Sequence, residues 1–294
     1  MSKIAILADI HSNLAALEAV FEDMDREGPI DRVICLGDVV GYGPQPKECL
    51  DLLLTRASPS DIILGNHEAA LIGKKFLLNG KNLTIDSYFH EAARKAINWT
   101  LTQLQDPDVP AVSGEVALRP KYRFLLDLKC EIIENEILFV HAMLDKEDLF
   151  KTILYIDEND QFKNAIRSFN YMKKNKFKLN FHGHHHVPGL WYIHGAKVKY
   201  NKFATLKGYE KETELNIDLP KKSEALINVG SVGQPRDGDI RASYGIVTIF
   251  PNKYTYKAKR VPYDSQKTFD LIQKIEDLDK RFAERLIYKF NLSS

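Results

Sequence analysis

Cysteine is scarce in this chain, and the scarcity narrows the possibilities. The three cysteines among 294 residues, Cys35, Cys49 and Cys130, are odd in number and far apart, so neither a disulfide framework nor a paired-thiolate zinc site is expected. Cys35 falls in an apolar run and reads as a small buried hydrophobe. An excess of one charge is missing as well. Lys and Arg number 41 against 40 Asp and Glu, a formal net charge of +1, so no global field gathers nucleic acid or an anionic membrane. No run approaches the roughly 20 apolar residues that span a bilayer. The N-terminus lacks the basic start, long apolar stretch and small-residue cleavage site of a secretory signal. A reducing, cytoplasmic setting is the expectation. Internal repeats and low-complexity linkers are absent too.

What is present is an ordinary globular composition, 44% hydrophobic and 28% charged, in a chain long enough to bury a substantial core. Lys3–Ile10 has the pattern of a buried strand. Asn13–Arg26 then carries Leu14, Leu17, Val20, Phe21 and Met24 on one helical face, closed by Gly28-Pro29. A strand at Arg32–Leu36, a loop Gly41-Tyr42-Gly43-Pro44, a helix through Leu50 and Leu54 and a short strand at Asp61–Leu64 follow. This alternation predicts βαβ crossovers and a parallel sheet. From Glu68 to Gln105 the pattern is mostly helical, and Tyr122–Ile133 and Glu136–His141 read as antiparallel strands. A helix around Phe162–Lys174 leads into a strand at Lys178–Phe181, and β-rich segments follow at Leu190–Ile193, Lys197–Phe203, Ala225–Val229, Tyr244–Phe250 and Tyr254–Val261. Ser265 to about Tyr288 has helical spacing. The expected organisation is one domain over residues 1–262, with a helical insertion around 74–105, and a C-terminal helical extension over 263–294.

The chemically competent residues gather where these strands end. Asp9 and His11 follow the first strand and Gly37-Asp38 the second. Gly65-Asn66-His67-Glu68 follows the third, His141 ends a fourth, and Gly183-His184-His185-His186 follows a fifth. In open α/β sheets, ligands collect outside the carboxyl ends of strands. Each residue alone has a bland explanation: Asp38 as a turn or helix cap, Asn66 as a turn residue, His141 as a satisfied half-buried histidine, the histidine run as a surface tract. Of the nine histidines, however, seven sit at these strand ends and only His90 and His194 lie elsewhere. Independent turns do not concentrate them so, and metal binding explains them together. Oxygen and imidazole donors without thiolate suit Mn, Fe, Ni or Zn and argue against a structural zinc site. Alternation should point His182 and His185 away from His184 and His186.

At these residues the sequence resembles the calcineurin-like metallophosphoesterase superfamily. The blocks Asp9-Ile10-His11, Gly37-Asp38-Val39-Val40-Gly41, Gly65-Asn66-His67-Glu68, Val140-His141 and Gly183-His184-His185-His186 stand in the family's order. Gly37 to Pro44 and Asn228 to Asp237 are similar to its bacterial and archaeal phosphodiesterase-type branch. The resemblance implies an α/β fold, a four-layer αββα sandwich of two mixed β-sheets flanked by helices, with two divalent metal ions at the sheet edges. It implies Asp9, His11 and His186 on one ion, Asn66, His141 and His184 on the other, Asp38 bridging them, and His67 as the catalytic histidine. Where the Ser/Thr phosphatase branch carries Asp-Arg-Gly, this chain has Gly41-Tyr42-Gly43, so a protein phosphatase is the less expected activity.

General chemistry agrees. A bridging carboxylate lets two cations sit roughly 3.5–4 Å apart, and water held between them becomes a hydroxide nucleophile for in-line attack near neutral pH. Two divalent ions, two carboxylates and that hydroxide leave the cage about one unit positive, which favours an anionic phosphoryl group. The alkoxide leaving group needs a proton, which His67 can donate with a pKa near the working pH; orienting the ligands is its alternative role. The fork of Arg236 suits phosphate oxygens, although a solvated surface loop explains it nearly as well, and Tyr42 edges the pocket or simply fills a turn. The expected function is a metal-dependent phosphoric ester hydrolase acting on a phosphorylated small molecule, a phosphodiester or small phosphomonoester. Its rivals are a non-catalytic scaffold of the same fold, a Ser/Thr phosphatase-like enzyme and a nuclease. The one notable basic run, Lys173–Lys178, reads as a solvated helix end, so neither nucleic acid nor membrane is an expected partner. The insertion and the C-terminal helix offer surfaces for a partner or an oligomer, or a lid over the substrate.

Overall fold

A computed structural model describes residues 1–73, 75–78, 81–84, 89–108, 116–143, 161–194, 197–203, 214–221 and 223–287. The strands are β1 (Ser2–Leu7), β2 (Arg32–Cys35), β3 (Lys75–Leu78), β4 (Lys81–Thr84), β5 (Glu131–Glu134), β6 (Ile137–Val140), β7 (Leu179–His182), β8 (Gly189–His194), β9 (Lys197–Lys202), β10 (Glu214–Pro220), β11 (Ala225–Asn228), β12 (Ala242–Ile249) and β13 (Lys253–Val261). The α-helices are α1 (Leu14–Arg26), α2 (Pro46–Leu53), α3 (Asn66–Leu71), α4 (Glu91–Leu104), α5 (Gln161–Asn175), α6 (Ser265–Lys274) and α7 (Lys280–Glu284).

Two mixed sheets stack face to face. The first has the order β10-β13-β12-β1-β2 and the second β5-β6-β7-β11-β8-β9. Side-chain alternation builds the layers. In β1, Ala5 and Leu7 join the core shared with α1 and α2, while Ile4 and Ile6 face the space between the sheets. In β6, Ile137 and Phe139 point to that same space and Leu138 and Val140 point outward. There they meet Ala165, Phe169 and Met172 of α5. Helices therefore cover both outer faces, the αββα arrangement expected. Helix α1 starts where expected because the Asn13 side chain accepts the Ala16 N–H at 3.2 Å, a capped start with Leu17, Val20, Phe21 and Met24 buried behind it.

Several elements differ from the sequence reading. Parallel pairing holds for β1 with β2, but β1 pairs antiparallel with β12. The segment at 61–64 forms no strand. Ile63 donates to Cys35 and Leu64 to Lys129, at 2.8 and 2.7 Å, so it changes partner at each residue and no ladder develops. Within the insertion expected to be helical over 74–105, Lys75–Leu78 pairs with Lys81–Thr84 as an antiparallel hairpin, and only Glu91–Leu104 is a long helix. The sequence Asn79-Gly80 between the strands is a hairpin signal that outweighs helical periodicity; residues 74, 79–80 and 85–88 lie outside the described ones. Pro120–Asp127 is a 3-10 helix with Tyr122 and Leu125 buried at its three-residue period, so strand β5 begins only at Glu131. The C-terminal helix breaks after Lys274 and restarts at Lys280, where Asp279 caps it by accepting the Arg281 N–H at 2.9 Å. Its expected end at Tyr288 lies outside the described residues. Among the described residues, no helix is long and apolar enough to cross a membrane.

Phe139 and Phe181 stack between the sheets at 5.5 Å, both fully buried. Phe181→Ala should cost about 3–5 kcal/mol through lost burial and the cavity left behind, read as a lower urea midpoint with an unchanged slope.

Candidate metal centre

The centre is assembled from loops that leave strands of both sheets. Beyond β1, the N–H groups of Asp9, His11 and Ser12 donate to the carbonyls of Gly37, Asp38 and Val39 at 3.0, 3.0 and 2.8 Å, so the loops after β1 and β2 run bonded together. Val232 and Gly233 donate to the carbonyls of Ala8 and Asp9, each at 3.0 Å, closing the other side. In the second sheet, Gly183 donates to the His141 carbonyl at 2.9 Å. The halves meet where the His184 N–H donates to Asp9 Oδ2 at 2.9 Å.

These loops pass through backbone conformations that side chains avoid. Asp9, His11, Ser12, Asp38, Tyr42, His184 and His186 have φ between +47° and +66°. Among the described non-glycine residues, Asn135 and Lys176 alone share that property elsewhere. Left-handed backbone costs roughly 1–2 kcal/mol per residue and persists where surroundings over-determine it, most often at functional sites. Here the flanking hydrogen bonds impose it, and it turns the side chains inward. Gly41, at φ +87°, must lack a Cβ because one would strike the His67 ring.

All seven residues expected to hold metal converge. His11, His141 and His186 each place Nδ1 against a backbone carbonyl, of Val40, Leu36 and Gln234, at 3.2, 2.8 and 2.6 Å. A carbonyl accepts, so each Nδ1 carries a hydrogen, which leaves Nε2 as the ring atom available to an ion. The Nε2 atoms of His11 and His186 face each other at 3.1 Å, and Asp9 Oδ1 lies 3.5 Å from the latter. Around the second focus, His141 Nε2 stands 2.9 Å from Asn66 Oδ1, 3.1 Å from His184 Nδ1 and 3.4 Å from Asp38 Oδ2. Asp38 Oδ2 also lies 3.8 Å from His11 Nε2, between the two groups. Potential ligand atoms form overlapping sets, Asp9-His11-His186, His11-Asp38-His67 and Asp38-His141-His184, each within 4.8 Å.

Acceptors crowded together in a buried space fit a cation. Asp9 Oδ1 is buried with no hydrogen-bond partner. Burial, reinforced by Asp38, pushes the Asp9 carboxyl well above its usual range. Burial acts on Asp38 in the same sense, but His141 and His67 outweigh it and hold that carboxyl well below its usual range. Burial opposes protonation of His141, yet Asp38 prevails and lifts the imidazole to about 9. The cage therefore draws positive charge into itself.

His67 lies beside this cage. Its N–H donates to Asp38 Oδ1 at 2.9 Å, and its ring packs against His11, Tyr42 and Phe89 at 4.7, 4.4 and 4.9 Å. Burial pushes its pKa down to about 4, so in the free protein it is neutral at pH 7, not poised near the working pH as the sequence suggested. Tyr42 is buried against both histidines, and Arg236 reaches Gln234 Oε1 at 3.2 Å and the Tyr42 hydroxyl. Arg241, by contrast, is engaged by Asp239 at 2.6 Å. His182 and His185 do point away: they line a separate cavity of about 230 Å³ with Trp191 and Tyr200.

Glu68 closes the strand-end block Gly65-Asn66-His67-Glu68, and the sequence alone assigns it no task. Fully buried, Glu68 accepts the N–H groups of Asp38, Val40 and Gly65 at 2.8, 3.1 and 3.1 Å. It locks the Asp38 turn to the start of α3. Its place three residues beyond Gly65, where a capping acid stands, was the available signal.

Comparison with known proteins follows the same lines. Residues 2–198 match the calcineurin-like phosphoesterase family. An uncharacterized protein of Methanocaldococcus jannaschii is 32% identical over 292 residues, 97% of each chain. The crystal structure of a metallophosphoesterase from Sphaerobacter thermophilus is similar at 30% identity and TM-score 0.69, covering 98% of this chain and 99% of that one. A hypothetical protein from Pyrococcus horikoshii OT3 shares the fold at 17% identity and TM-score 0.62, covering 99% of each. With its strand-end donors gathered into one cage and this match over most of its length, the chain belongs to the calcineurin-like phosphoesterase family.

Proposed function

We propose that the protein hydrolyses a phosphodiester or small phosphomonoester at a centre holding two divalent ions. The observation that carries this reading is the set of carboxylate, amide-oxygen and imidazole-nitrogen atoms arranged around Asp38, with Asp9, His11 and His186 on one side and Asn66, His141 and His184 on the other. Ions held there would supply Lewis acidity and an activated water for in-line attack on phosphorus. Mn, Fe, Ni and Zn all accept this donor set.

The chain's own groups do the remaining work. Three histidines are fixed in rotation and tautomer by backbone carbonyls, which keeps their Nε2 atoms aimed inward. Asp38 is held by Glu68 on its backbone side and by the His67 N–H on its carboxylate side. His67 is the group assigned to protonate the leaving oxygen. Burial keeps it neutral in the free protein, and an anionic phosphoryl group beside it raises its pKa toward the protonated form. Arg236 and Tyr42 border the same space and are assigned to the substrate.

The decisive experiment measures hydrolysis of an activated aryl phosphodiester and an aryl phosphomonoester with Mn added and after chelation. Chelation should abolish turnover and Mn should restore it; metal-loaded protein inert toward both esters would point to a scaffold instead. His67→Ala should keep its metal and lose about 10²–10⁴-fold on poor leaving groups, with a smaller loss on activated ones. Equal losses on both would remove the acid role. Glu68→Gln puts an amide donor among three N–H groups, so metal affinity should fall about 10–100-fold in chelator competition, with stability down about 1–3 kcal/mol.

A further inference from the structure

Residues 265–287, beyond the stretch matched by the family at 2–198, pack onto the metal centre. Thr268 Oγ1 donates to Asn13 Oδ1 at 2.7 Å, and Asn13 donates to the Gly233 carbonyl at 2.9 Å. The segment is thus tied to both loops that flank Asp9. Phe282 lies against Tyr42 at 4.6 Å, and Tyr42 against His67 at 4.4 Å and His11 at 4.7 Å. Phe282 and Leu286 share the walls of a narrow cleft with His11, Tyr42 and Gln234.

Arg285 lies between those two wall residues in sequence and is partly buried. It is carried by the segment whose Phe282 and Leu286 wall the cleft beside Tyr42, and its charge acts on Tyr42, His90 and Arg236. Asp279, whose charge it feels, is gripped by the Arg281 fork at 2.9 and 2.6 Å. Among the described residues, no carboxylate lies within ion-pair distance of Arg285 or Arg236. Arg236 Nε is buried with no hydrogen-bond partner. Burial and Arg236 together hold the Arg285 guanidinium below its usual range. Two half-buried cations beside one tyrosine repel each other, and an anion between them relieves both. Guanidinium forks match phosphate oxygens in particular.

We infer that Arg285, delivered by the C-terminal segment, joins Arg236 in binding the non-reacting phosphate oxygens of the substrate. This rests on the phosphoesterase reading and adds a substrate contact to it. The C-terminal segment then forms part of the substrate site, and Phe282 and Leu286 position the arginine through apolar packing on Tyr42.

The test uses Mn-loaded full-length protein and inorganic phosphate, with affinity read by calorimetry and metal content by elemental analysis. Arg285→Gln should weaken phosphate binding roughly tenfold or more, leave metal content and melting temperature unchanged, and raise KM more than it lowers kcat. Wild-type phosphate affinity in that variant overturns the inference, and so does loss of metal or early melting, which would make Arg285 a structural residue. Arg285→Met, which keeps the apolar stem, is the second variant and should show the same weakening; unaltered affinity there is equally fatal. Wild-type protein that binds neither Mn nor phosphate sinks the phosphoesterase reading itself, whereas wild-type binding matched by both variants sinks only the role of Arg285.

Discussion

The His184 N–H bonded to Asp9 Oδ2 joins a loop of the second sheet to a loop of the first, and the cage depends on that join. Without it, Asp9 and His184 would be related only indirectly, through the His141 bond to the Leu36 carbonyl, the loop that holds His186 at Gln234, and the apolar layer of Ile4, Ile6, Phe139 and Phe181. Apolar packing fixes the spacing of two sheets but is not directional. A hydrogen bond from a backbone amide to a buried carboxylate is directional, and it sets where the second sheet's histidines stand relative to Asp9. The other Asp9 oxygen is left buried and unpaired, facing the space where His11 and His186 converge.

The same economy of partners runs through the centre. Four of the residues that face inward are held by partners outside the cage: His11, His141 and His186 by carbonyls, Asp38 by Glu68 and the His67 backbone N–H. Seven left-handed residues are tolerated because loop-to-loop hydrogen bonds leave the chain no relaxed alternative. The outer wall is aromatic and comes from distant parts of the chain. Tyr42, Phe89 and Phe282 enclose His67 and Tyr42's own ring face, which lowers the local dielectric and keeps His67 neutral until a charge arrives.

Much of this was legible from residue order. Strand ends bearing Asp9, His11, Asp38, His141 and His184 could be placed because buried strands announce themselves as short apolar runs, and α1 because its cap and apolar face agree. The pairing of Lys75–Leu78 with Lys81–Thr84, the 3-10 turn at 120–127 and the break after Lys274 were not legible, each lying where a local turn signal competes with helical or strand periodicity over few residues. Strand β10, Glu214–Pro220, passed unnoticed because only Leu219 is buried in it, and an edge strand with little burial has little pattern.

By itself the sequence determined which atoms are available: seven donors of oxygen and nitrogen, no thiolate among them, in an order that marks the family. Residue identity decides donor chemistry, and that is independent of distance in space. The tertiary structure alone decided that Glu68 clamps the Asp38 turn, that His67 sits in a dry aromatic setting, and that Phe282, more than 200 residues from Tyr42, closes the wall beside it. Those contacts join segments far apart along the chain. They arise only when two sheets and a C-terminal segment bury their apolar faces together, and no local pattern carries a record of which faces will meet.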